Sequence, residues 1–145
     1  MKLKYITFAV AALCATASLQ AEKHVAGPKG GRLLESEPNK AEFFVTSDRK
    51  VEITFYDAAL KPVDPGTQVV SVTAEPASGK AKLDLEKTAT GFVSKAVLPA
   101  GEPYRVVVQT RASADAKPKN FRVDLNLANC GGCSKAEYAC TCEGH

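Results

Sequence analysis

Apolar and polar residues alternate in short runs along most of this chain, and that pattern narrows its fold more than any other feature. In Lys50–Phe55, Val51, Ile53 and Phe55 fall on one face. Ala81, Leu83 and Leu85 alternate with Lys80, Lys82, Asp84 and Glu86, and Phe121, Val123, Leu125 and Leu127 with Arg122, Asp124 and Asn126. A period of two with polar partners marks half-buried strands. Further strands are expected over 32–36, 41–46, 67–75, 91–98 and 103–111, for about eight in all. Turn signals stand between them, among them Lys61-Pro62, Asp64-Pro65-Gly66, Ser78-Gly79 and Lys117-Pro118. No window of the body carries a helical period, so the expected class is all-β, an antiparallel sandwich or barrel.

Size selects the sandwich. Residues 32–128 come close to the roughly 100 residues of an immunoglobulin-like domain of about 7–8 strands. Tyr104 stands at the start of a late strand, two positions before the apolar Val106. It reads either as a tyrosine corner, in which the hydroxyl bonds back to upstream backbone, or as a ring packed at a strand end. The 145 residues leave room for attachments at both ends.

The first attachment is residues 1–21. Lys2 and Lys4 precede an apolar run from Ile6 to Leu13, and small residues end at Ala21. That order describes a secretory signal peptide, and the run is too short to span a bilayer. The expected location is therefore periplasmic or secreted, with no membrane span after cleavage. Removing the two leader lysines lowers the net charge from +3 to +1, which gives no electrostatic case for nucleic acid. Residues 22–31, with three glycines and Pro28, read as a flexible Gly/Pro lead-in.

The second attachment, 129–145, carries the chemistry. Cys130, Cys133, Cys140 and Cys142 fall within it, and residues 22–129 contain no cysteine. A disulfide framework for the sandwich would spread its cysteines over the strands, so these form an irregular, local, Cys-rich tail. Cys130-Gly131-Gly132-Cys133 lets the backbone fold tightly around one ion, and the second pair completes four thiolates. Four thiolates suit zinc, and soft sulfur also suits Cu(I). His145, three residues beyond Cys142, is an auxiliary candidate. The competing reading is two crossed disulfides that tie the tail of a structural or interaction module in the envelope. Catalysis has no candidate residues. The two histidines, His24 and His145, stand near opposite ends of the chain, and the body has none to activate a nucleophile.

Two stretches carry a resemblance. His24-Val25-Ala26-Gly27-Pro28-Lys29-Gly30-Gly31-Arg32-Leu33-Leu34 resembles the Gly-Pro-x-Gly-Gly-Arg-Leu-Leu segment of periplasmic adaptor subunits of heavy-metal efflux pumps. Tyr56-Asp57-Ala58-Ala59-Leu60-Lys61-Pro62-Val63 is similar to a strand-and-turn element of small envelope proteins associated with such systems. Together they cover about 20 residues, and the chain lacks an adaptor's length and helical hairpin. Lys29 stands where those adaptors often have His. The resemblance implies a free-standing sandwich beside metal export that delivers or buffers copper or zinc, with an efflux component as partner and His24 joining the tail as a ligand.

Overall fold

The structure is a computed structural model that describes residues 24–142. Residues 1–23, which hold the expected leader, and His145 lie outside the described residues. Among the described residues, ten strands form two antiparallel sheets. The first sheet contains β1 (Val25–Ala26), β2 (Arg32–Leu34), β3 (Lys40–Val45), β4 (Val51–Tyr56), β7 (Leu85–Lys87) and β8 (Gly91–Ser94), in the order β1-β2-β3-β4-β8-β7. The second has β5 (Val69–Glu75), β6 (Ala81–Leu83), β9 (Tyr104–Arg111) and β10 (Lys119–Leu125), in the order β10-β9-β5-β6.

Without β1 and β2, the order β3-β4-β8-β7 against β10-β9-β5-β6 is the strand plan of an immunoglobulin-type sandwich. Alternation decides the packing. Phe43, Val51, Ile53 and Phe55 point inward from the first sheet and meet Val72, Val106, Val108 and Val123 from the second. The two readings of Tyr104 both hold. Its ring is buried, and its hydroxyl donates to the Pro99 carbonyl at 2.7 Å, which closes a tyrosine corner.

Two expectations need revision. The alternating run 80–86 is two strands on opposite sheets, because the chain crosses at Asp84. Both halves still point apolar residues inward, so the alternation continues across the break. The Gly/Pro segment is also not irregular throughout. Val25 and Ala26 pair with Leu33 and Arg32, and the loop 27–31 folds over the outer face of β3.

That loop surrounds Glu42, which alternation assigns to the solvent side but which is fully buried. The Glu42 carboxyl accepts hydrogen bonds from the backbone amides of Gly31 (2.7 Å) and Lys29 (3.0 Å), and from the Tyr56 hydroxyl (2.8 Å). A Cβ on Gly27 would stand 2.2 Å from the Glu42 Cδ, so only glycine lets the loop close. Lys29 then reaches Glu52 in an ion pair outside the cradle. Burial, followed by the bond to Glu42, pushes the Tyr56 phenol far above its ordinary range. Both stretches of the resemblance therefore meet at one carboxyl group.

Candidate metal centre

The tail begins where β10 ends. The Asn126 side chain accepts the Ala128 amide at 3.0 Å, and the chain doubles back so that Asn129 bridges to Ala136. The Cys130 amide donates to the Lys135 carbonyl at 2.8 Å, which closes a tight loop with Gly131 and Gly132 at its tip. A 3-10 turn, Glu137–Ala139, then brings the chain to Cys140. The Glu137 amide bonds to the Ala128 carbonyl (2.9 Å) and the Tyr138 amide to the Asn126 carbonyl (3.2 Å).

Tyr138 fastens this knuckle to the sandwich. Its ring meets Phe43 edge-on, with centroids 5.6 Å apart and planes at 88°. Its hydroxyl accepts the Val45 amide at 3.0 Å, beyond the last pairing of β3 with β2. Tyr138 and Ala139 belong to the same buried cluster as the strands. The tail is thus local in its cysteines but continuous with the core in its packing.

The result is four sulfurs in one place. The Sγ atoms of Cys130, Cys133, Cys140 and Cys142 all lie within 4.8 Å of one another. The Cys130–Cys142 and Cys133–Cys140 sulfurs are each 3.8 Å apart. A disulfide holds its sulfurs about 2.05 Å apart, and none of the four cysteines is bridged here. A tetrahedral zinc site with bonds of about 2.3 Å separates its sulfurs by about 3.8 Å, the spacing of both pairs. The crossed disulfides of the competing reading are therefore absent among the described residues, although both 3.8 Å contacts run from one cysteine couple to the other. A Cβ on Gly132 would stand 2.8 Å from the Cys142 sulfur, so this glycine makes the room that Cys142 fills.

Hydrogen bonding among the sulfurs divides their protons unequally. The bond with Cys140, helped by the Gly132 amide, pulls the Cys130 thiol down to about 6. The same bond pushes Cys140 up to about 12. One easily formed thiolate beside three further sulfur donors fits a soft cation.

The chain matches no protein-family model, no curated protein and no solved structure.

The other nominated ligand within the described residues is elsewhere. His24 precedes β1 at the edge of the first sheet. There it lines a separate cleft with Leu33, Leu34 and Phe121, and it is not part of the sulfur cluster. Sequence reasoning missed Glu42, because a Glu on an alternating strand looks solvated until a loop covers it. It also missed Tyr138, whose signal was an apolar Tyr138-Ala139 pair between two cysteine couples. No helix among the described residues is long and apolar enough to cross a membrane.

Proposed function

We propose that this protein binds one soft metal ion through Cys130, Cys133, Cys140 and Cys142 as thiolates and works as a periplasmic or secreted accessory to metal handling. The observation that carries the reading is the convergence of four unbridged sulfurs, two pairs of them at tetrahedral spacing. Zinc is the first choice of ion, since a closed set of four thiolates is its usual protein site. Cu(I) is the second, on the softness of the donors. The location follows from the Lys2–Ala21 pattern. The direction towards export or delivery follows from the resemblance to efflux adaptors, and an efflux component is the partner to look for. The sandwich is a rigid carrier rather than an enzyme, and the tail is its binding element.

Binding should release protons, since the thiols must ionise to ligate. The test is native mass spectrometry of protein purified without chelator or reductant, beside a variant with Cys133→Ser and Cys140→Ser. One zinc or copper ion per wild-type chain, absent from the variant, is the expected result. A metal-free wild-type mass short by two hydrogens per disulfide would remove the metal reading in favour of a tied structural module.

A further inference from the structure

The four sulfurs are not equivalent. Cys130 and Cys140 are buried, at 5% and 3% exposure, whereas Cys133 and Cys142 are half-buried. Backbone anchoring follows the same division. The Cys130 amide is tied to the Lys135 carbonyl, and the Cys140 amide to the Glu137 carbonyl directly after the core residues Tyr138 and Ala139. Cys142 is held differently, because its amide points at the Cys140 sulfur, 3.4 Å away, within the cluster itself. Cys133 closes the Gly131-Gly132 loop. The two 3.8 Å sulfur–sulfur contacts each join one inner to one outer cysteine, and Cys130 and Cys140 also bond to each other. In a tetrahedron of these four, the edge between Cys133 and Cys142 therefore turns towards solvent.

We propose that the metal enters and leaves across the Cys133–Cys142 edge, by exchange with an acceptor that presents thiolates, and that Cys142 is the first ligand displaced. This rests on the metal-binding reading above and adds that the ion is cargo rather than a permanent staple. In the exchange, one acceptor sulfur–metal bond forms as the Cys142 sulfur–metal bond breaks. The acceptor thiol gives its proton to solvent and the released Cys142 thiolate takes one up, so no electron moves and the charge balances. A second exchange at Cys133 follows on the same side. Cys130 and Cys140 hold the ion until then, because the core keeps them in place. The chemistry selects a thiol acceptor, since a softer or equal donor is needed to replace a thiolate. A partner bearing two closely spaced cysteines, or a small dithiol, fits.

Two measurements on the full chain test this. The protein is first loaded with Zn(II) and its mass confirmed. Failure to hold zinc at that step, and Cu(I) in a parallel loading, overturns the metal reading and the exchange edge with it, before any transfer is attempted. The loaded protein is then given dimercaptosuccinate, and zinc transfer is followed in wild type, Gly132→Ala and Gly131→Ala. A Cβ at 132 presses on the Cys142 sulfur, whereas one at 131 meets nothing within 4 Å. The transfer rate should rise with dithiol concentration and should increase several-fold in G132A alone. In parallel, limited iodoacetamide on the loaded wild type should label Cys142 and Cys133 before Cys130 and Cys140. A rate independent of dithiol concentration, equal rates in all three proteins, or first labelling at Cys130 or Cys140 would each overturn the proposal.

Discussion

Glu42 and the cysteine cluster pose the same electrostatic problem and reach opposite solutions. Both gather groups that carry or readily form negative charge at the edge of a hydrophobic core. Around Glu42 the protein supplies the answer itself, with two backbone amides and a phenol aimed at the two carboxyl oxygens. Each of the two oxygens takes at least one hydrogen bond, so neither is left without a donor. Around Cys130, Cys133, Cys140 and Cys142 the donors are mainly the sulfurs themselves, with a few amides at the margin. Such a cluster could hold a positive ion at its centre. Burial of acidic groups therefore does not identify a metal site. What identifies one is burial without an internal set of donors.

The largest effect should come from breaking the complete site. Glu42→Ala leaves the Lys29 and Gly31 amides and the Tyr56 hydroxyl without their acceptor, at about 1–3 kcal/mol each. The summed loss expected in urea unfolding is about 3–9 kcal/mol. Glu42→Gln should recover part of it, and neither change should alter metal stoichiometry. A loss under about 1 kcal/mol for the alanine variant would mean that water replaces the carboxyl and the cradle is not closed.

Emptying the other site should cost less. Stripping the ion with a strong chelator removes a stabilisation of about 2.7 kcal/mol when free metal stands at 100 times Kd. The knuckle is tied to the core through Tyr138, so the melting temperature of the whole sandwich should fall with it. An unchanged melt with the metal gone would show that the knuckle and the sandwich are uncoupled. Smaller again is Tyr138→Phe, which leaves the Val45 amide without its acceptor and should cost about 1 kcal/mol while keeping the ring on Phe43. Denaturant midpoints of the holo protein would read that difference.

The smallest effect is electrostatic and lies outside both sites. Burial pushes the Glu102 carboxyl up, but its own backbone amide and the neighbouring Arg49 guanidinium outweigh this and hold it below its ordinary value of 4.5. Its buried Oε1 takes no hydrogen bond of good angle, and the Arg49 ion pair compensates it. A carboxyl depressed in the folded state stabilises above its ordinary value, and that contribution is lost as pH falls through the folded one. Melts between pH 7 and pH 3 should therefore show wild type losing slightly more of its stability than Glu102→Gln. A parallel fall in both would remove the ion pair from the account.

Much of this was legible in the chain. Alternation along β4, β9 and β10 is decided by local burial, which each strand carries in its own residues. Turn residues and the spacing of strands then leave an antiparallel sandwich. The cysteine cluster was legible because all four ligands lie within a short span and need little tertiary information to meet. What was not legible depends on covering by distant chain. Glu42 is buried only because loop 27–31 lies over it, and Asp84 marks a sheet crossing that continuous alternation hides. Tyr138 looked like part of a separate tail because its partners, Phe43 and Val45, lie more than 90 positions earlier.

That separation sets an order of events when the chain is made. The Val45 amide and one face of Phe43 wait for a residue 93 positions further on, by which time every strand of the sandwich has already been synthesised. Closing so long a loop is slow relative to pairing neighbouring strands. A chain that has made every strand therefore still lacks the residue that covers Phe43 and the Val45 amide. That end of the sandwich is closed only when the knuckle lands there, so the last residues to be made complete a contact begun by the third strand.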